Sequence, residues 1–172
     1  MRAVGFDPGL ADTGYAALEL ARGRPAVLGK GVIRTAAGLA LEVRLDLLFE
    51  ETARVLARYG PAFLVVEDVF SAPTVPRTAI LVGYARAVIC LAGRRAGAAV
   101  VSVTPAEVKR AVTLSGAASK GQVARGVQAL LGLAAPPRPS HVADALALAF
   151  TGLSRARGAG RVDGAARRRA SG

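Results

Sequence analysis

At 172 residues, 52% hydrophobic and 20% charged, the chain has room for one domain with a real core but not for two, and its composition is globular rather than disordered. A single cysteine, Cys90, excludes an intrachain disulfide and suits a reducing cytosol; no apolar run spans a bilayer, since the best, Ala79 to Ala92, is interrupted by Arg86. The net charge of +11, from 23 basic and 12 acidic residues, points to a polyanionic partner, most often nucleic acid. The stretch after Leu153 holds six arginines against Asp163 alone, yet the body is basic as well. The bland alternatives are a solvated basic surface and a compositional bias toward Ala, Gly and Arg, which fits 20 arginines against 3 lysines. No signal peptide is visible, because Arg2 leads into a strand and not into an apolar segment, so a cytoplasmic chain is expected.

The chain opens on Arg2 to Asp7. Val4 and Phe6 alternate with Ala3, Gly5 and Asp7, the period of two that a strand requires. Asp7 shares a face with small residues, which leave room beside it, and Pro8-Gly9 turns the chain sharply. Thr13 to Leu20 and Ala26 to Thr35 read as two further strands. Their short connections make an antiparallel meander. Leu39 to Tyr59 is a long amphipathic helix, with Leu41, Leu45, Leu48, Val55 and Leu56 at helical spacing, and Gly60-Pro61 stops it. Ala62 to Glu67 is a buried strand that again ends on a carboxylate. After a Pro-containing loop, Ser71 to Arg77, the stretch Thr78 to Ala96 is a helix with almost no polar face, as in helices buried between subunits. Ala98 to Val103 is a fifth strand. Thr104 and Glu107 form a capping box for a short helix with Pro105 at its first position. Ser119 and Gln122 form another, opening a helix to Leu131. Ser140 is placed as the cap of the last helix, His141 to about Leu153, and residues 154–172 read as a disordered Arg-rich tail on a domain of residues 1–153. The order of elements predicts an α/β fold: a five-stranded mixed sheet with helices on both sides, the first and fourth strands lying parallel at its centre.

Two central strands thus end on acids, Asp7 and Glu67. Parallel neighbours lie about 4.8 Å apart, so the two can share one site. The last helix adds His141 and Asp144 at i, i+3, on one helix face. Three acids and a histidine converging in a basic protein imply a divalent cation, since mutual repulsion would otherwise raise their pKa values. Oxygen-rich sites favour Mg²⁺ or Mn²⁺. Each residue also has a bland reading: a turn for Asp7, a helix N-terminal charge for Glu67 and more so for Asp68, a helix-dipole preference for Asp144 and His141. Taken singly, any of these is as good as function. The four together, at element ends that the topology brings close, weigh toward a site.

These residues carry a resemblance. DPGLADTGY from Asp7 to Tyr15, VEDVF from Val66 to Phe70, VGYAR from Val82 to Arg86 and SHVADAL from Ser140 to Leu146 resemble the RuvC family of Holliday junction resolvases, in order from Arg2 to about Thr151. The resemblance implies a ribonuclease-H-like fold and a homodimer. It implies metal-dependent symmetric nicking of four-way DNA junctions in recombination and repair, in cooperation with the RuvA–RuvB branch-migration machinery. Carried over by position, Asp7, Glu67, His141 and Asp144 match the metal-binding tetrad. His141 stands where many members have Asp, which leaves open whether it is a ligand, a general base or both. Phe70 matches an aromatic that touches unstacked junction bases; Lys109 and Lys120 match contacts to DNA phosphates, and Lys120 sits at a helix N-terminus, where phosphates bind favourably. The implied chemistry is two-metal hydrolysis, the ions about 3.5–4 Å apart, with Asp7 bridging them, Glu67 holding one and Asp144 with His141 the other. Mg²⁺ is the expected cofactor and Mn²⁺ its substitute. The chain departs from the family in the loop Phe70 to Gly83, one residue longer than usual, with Pro73-Thr74 where a basic residue and Asn are common. Competing readings are a ribonuclease-H-like RNA-processing nuclease, a noncatalytic junction-binding protein, and a phosphotransferase of the actin–sugar-kinase type, which needs a second such domain.

Overall fold

The computed structural model describes residues 1–68 and 76–170, the side chains of 76–77 and 159–170 excepted. The elements follow the expected order: β1 (Arg2–Asp7), β2 (Asp12–Ala21), β3 (Arg24–Arg34), α1 (Leu41–Tyr59), β4 (Phe63–Glu67), α2 (Pro76–Arg95), β5 (Ala99–Val103), α3 (Pro105–Thr113), α4 (Lys120–Leu131) and α5 (Ser140–Ala170). They build one five-stranded mixed sheet in the order β3-β2-β1-β4-β5. The first three strands are an antiparallel meander, and β4 pairs parallel with both β1 and β5. The central position of β1 follows from its sequence. Val4 and Phe6 on one face and Ala3 on the other are fully buried, so the strand needs cover on both sides.

Those covers are two helical layers. Val4, Phe6, Leu64 and Val66 pack with α1 and α2 residues such as Leu48, Leu56, Ala85 and Ile89. Ala3, Ala16, Leu18, Val65 and Val103 pack with α3, α4 and above all α5. The α5 layer is close. A Cβ at Gly5 would fall 2.2 Å from the Ala145 carbonyl oxygen, and one at Gly14 would fall 2.1 Å from that of His141. The room left by small residues beside Asp7 is therefore taken by the backbone of α5.

Three local expectations change. Only the second half of α1 packs on the sheet, through Leu48, Thr52, Val55, Leu56 and Tyr59. Leu41, expected on the core face, is exposed with Leu39, Val43 and Leu47, because burial begins only at Leu48, about two turns further on. Helix α2 is apolar on two separate faces: Ala85, Ile89 and Ala92 are buried in the chain's own core, while Ile80, Tyr84 and Leu91 point outward. Helix α5 begins at Ser140 itself. The amides of Val142 and Ala143 donate to the Pro139 carbonyl at 3.0 and 3.4 Å, so Ser140 is the first helical residue rather than the cap. Its helical backbone runs to Ala170, beyond the expected end at Leu153, through a stretch rich in the good helix formers Ala and Arg. Both capping boxes form as expected. The Thr104 and Ser119 hydroxyls each accept an amide at 3.3 Å, and Glu107 and Gln122 accept in return at 2.8 Å. Among the described residues no helix is long and apolar enough to cross a membrane.

Candidate active site

Asp7 stands at the end of the central strand, where the ladder stops and the turn begins. That turn is tied down from two sides. The buried Thr13 hydroxyl donates to the Gly9 carbonyl at 2.6 Å and accepts the Gly9 amide at 3.3 Å. The Thr35 hydroxyl donates to the Leu10 carbonyl and accepts from Arg44 Nε at 3.0 Å. A polar side chain at a strand end is mobile unless its turn is fixed; here the fixing groups are two buried threonines. On the neighbouring strand, the register Gly5↔Val65 and Phe6↔Val66 carries the ladder up to Asp7 and Glu67, side by side and on the α5 face.

The first turn of α5 comes down on this pair. Gly14, the β2 residue opposite Asp7 in register, has no side chain to hold the His141 backbone away. His141 Nδ1–H donates to Asp7 Oδ2 at 2.6 Å, joining residues 134 apart in the chain. That bond uses Nδ1, so in the neutral ring Nε2 is the basic nitrogen. Asp144, one turn on, lines the same cleft of about 440 Å³ as Asp7, Glu67, His141, Lys109 and Lys120. Lys120 enters it from the first turn of α4 and Lys109 from α3. Six sequence-predicted residues are thus brought together. Phe70, the seventh, lies outside the described residues.

The electrostatics of the cleft are those of crowded acids. Burial pushes the Asp7 carboxyl above its ordinary value, against the downward pull of the His141 hydrogen bond and the charges of His141 and Lys120. Burial also raises Glu67, and the negative charges of Asp7 and Asp144 raise it further, while Lys120 and Lys109 pull it down. Asp144 is raised by burial and by Asp7, and lowered by Lys120 and His141. Two lysines and one imidazole leave the three carboxyls incompletely neutralised. Among the described residues no three His, Cys, Asp or Glu side chains close around one point as a finished metal cage. The four line one cleft, with Asp7 and His141 engaged with each other. Hard carboxylate oxygens with one imidazole are nonetheless a donor set that fits Mg²⁺ or Mn²⁺, and the unrelieved repulsion is what a cation would remove.

Sequence reasoning passed over three contributors. Thr13 staples the turn, Gly14 seats α5, and Arg86 donates from Nε to the Glu67 carbonyl at 3.1 Å. The first two had a signal, since the length of the turn after Asp7 sets which β2 residue faces it. Arg86 stood in the VGYAR block that carries the resemblance and interrupted an apolar helix, but neither showed which backbone it would grip.

Known proteins bear on this geometry. The profile of the family described as "Crossover junction endodeoxyribonuclease RuvC" matches residues 3–152. The chain is 45% identical over 157 residues to the crossover junction endodeoxyribonuclease RuvC of Streptomyces coelicolor, covering 91% of this chain and 83% of that one. It is 38% identical over 154 residues to that of Fusobacterium nucleatum, covering 90% and 80%. Among solved structures, Thermus thermophilus RuvC in complex with Holliday junction substrate superposes with a TM-score of 0.85 at 33% identity, over 91% of this chain and 95% of the other.

Proposed function

The chain belongs to the RuvC family and is a structure-selective endonuclease of four-way (Holliday) DNA junctions; from that premise we propose that Asp7, Glu67, His141 and Asp144 carry the phosphodiester hydrolysis, in a homodimer that nicks the junction symmetrically. The observation that supports this most directly is the Asp7–His141 contact of 2.6 Å inside a cleft shared with Glu67, Asp144 and two lysines. Elements from both ends of the chain converge there, and no packing need accounts for placing so many ionisable groups together.

In this reading Asp7, Glu67, His141 and Asp144 hold the divalent cations, Mg²⁺ with Mn²⁺ as a substitute and two ions per site, which when bound activate the attacking water and stabilise the leaving oxygen. Lys109 and Lys120 face the cleft as fixed positive charge and offset the phosphates of the strand being cut. His141, its Nδ1–H held by Asp7, presents Nε2 as a base for the proton that the attacking water gives up, or as a ligand. Phe70, three residues beyond Glu67, is proposed to stack on an unstacked junction base, a contact worth about 1–3 kcal/mol. Residues 1–153 make up the nuclease domain and the Arg-rich remainder adds nonspecific affinity. The homodimer uses the outward face of α2, Ile80, Tyr84 and Leu91, rather than Ile89, which the chain's own core consumes. Cooperation with RuvA–RuvB in the cytoplasm completes the reading.

The test is a panel of labelled four-way junctions, linear duplex and RNA–DNA hybrid, each with and without Mg²⁺ or Mn²⁺. Paired cuts in the junction alone, only with metal, are expected. Preferential cutting of the hybrid would replace this reading with that of an RNA-processing nuclease.

A further inference from the structure

Glu67 is held from the side of the sheet opposite its carboxylate. Arg86, on α2, donates from Nε to the Glu67 carbonyl oxygen at 3.1 Å and from Nη2 to Ser102 Oγ at 2.7 Å. Ala85 and Ile89, fully buried against the β4 face that carries Leu64 and Val66, seat this turn of α2. Ser102 is the β5 partner of Val66, so a single guanidinium spans two adjacent strands where β4 ends. The other polar atom of the same peptide unit is also taken: the Asp68 amide donates to the Val103 carbonyl at 2.8 Å. A planar peptide gripped at both its oxygen and its N–H has no freedom to rotate. The direction of the Glu67 side chain follows from that plane. Arg86 reaches the backbone oxygen of Glu67 and not its carboxylate, so the contact acts on the plane of the peptide.

We propose that Arg86 is a positioning residue: by clamping the peptide between Glu67 and Asp68 to β5, it sets the direction from which the Glu67 carboxylate enters the cleft. A planar fork serves two acceptors on neighbouring strands from two nitrogens held in one plane, whereas a lysine has a single nitrogen at the end of a flexible stem. The inference rests on the reading of Glu67 as a metal ligand. Three variants test it in the full chain: Arg86→Gln, Arg86→Lys and Ser102→Ala. Junction binding without divalent cation should be unchanged in all of them. For Arg86→Gln the Mg²⁺ concentration giving half-maximal cutting should rise about ten-fold, the usual cost of losing a group that orients a ligand. The rise in melting temperature that Mn²⁺ causes in the DNA-free protein should shrink in parallel. Arg86→Lys, which keeps one contact, should fall between Gln and wild type, and Ser102→Ala should shift least. Wild-type metal dependence in folded Arg86→Gln overturns the proposal, as it does in both Arg86→Lys and Ser102→Ala should Arg86→Gln not fold. Glu67→Gln serves as the reference: if it too keeps wild-type metal dependence, the assignment of Glu67 as a ligand is what has failed, and not the clamp alone.

Discussion

At Asp7 a carboxylate is held by burial on one side and by a histidine on the other, and the two have different consequences. Asp7→Asn keeps an oxygen for the His141 Nδ1–H, so the turn and the first turn of α5 should stay in place. Cutting should be abolished while junction binding stays intact or tightens, because a negative charge near phosphates is removed; gel-shift and cleavage assays on one preparation would check both. Loss of binding in a folded variant would count against a catalytic role separate from binding. Asp144 supports a second expectation. Burial and the charge of Asp7 raise its pKa above the ordinary carboxylate value. An acid whose pKa is raised in the folded state favours folding below its unfolded pKa, and that contribution is lost as pH rises through the folded value. At pH 7 the charged Asp144 therefore works against folding. Asp144→Asn should melt a few degrees higher than wild type in chelator at pH 7, and the gain should fade as pH drops toward the ordinary aspartate pKa. Added Mg²⁺ should stabilise wild type more than the variant. A variant that melts lower at pH 7 and shows no such trend would mean that Asp144 is held by contacts stronger than its crowding.

The element that decides the site is α5, and what decides its position is a missing side chain on β2. Gly14 faces Asp7 across the β1–β2 ladder, and a Cβ there would stand 2.1 Å from the His141 carbonyl oxygen. Backbone cannot give way as a flexible side chain can. Gly14→Ala should push the start of α5 off the sheet, cost about 1–3 kcal/mol of stability, and lower cutting far more than that loss of fold explains, since His141 and Asp144 move together. Gly38 has open space around it, so Gly38→Ala is the matched control and should be neutral in both thermal melts and cutting rate. Equal effects of the two substitutions would remove the seating role from Gly14. The same helix explains why a strand as plain as β1 sits at the centre: Ala3 and Gly5 are small because α5 lies directly on them.

For the whole molecule, the sheet separates two surfaces of different character. On one side lie the cleft and its lysines. On the other, α1 and α2 expose Leu41, Leu47, Ile80, Tyr84 and Leu91, apolar side chains that nothing in the single chain covers among the described residues. A stable two-fold interface buries about 1,200–2,000 Å² in total, and two neighbouring helices with such faces are where it would be found. The substitutions Ile80→Lys and Leu91→Lys together should leave the fold intact, because both side chains already face outward, and should shift sedimentation from dimer to monomer at micromolar concentration. A wild-type protein that sediments as a monomer at that concentration, or a double variant that remains a dimer, would place the interface elsewhere. Paired cutting gives a second readout, since a monomer can nick one strand at a time but cannot match the two-fold symmetry of a junction.

Much of this was legible in the chain itself. The strands showed as alternation, the two acids showed as strand-end residues, and the two capping boxes showed as residue pairs three apart; each is a local pattern, set by backbone periods of two and 3.6 and by hydrogen bonds between near neighbours. The pairing of β1 with β4 followed from the order of elements, a meander and then crossovers through helices. What lay beyond reach depended on how far apart the elements settle and which way they are turned. Leu41 has the spacing of a core residue and lies in water, because α1 meets the sheet only from Leu48 onward. Ile89 and Leu91 read alike on an apolar helix, yet one is in the core and the other outside. The Asp7–His141 contact needed α5 to approach within backbone distance of β2, and the Arg86 clamp needed α2 to lie across the ends of two strands. Periodicity within one element carries no record of the distance to another, so those contacts belong to the tertiary structure alone.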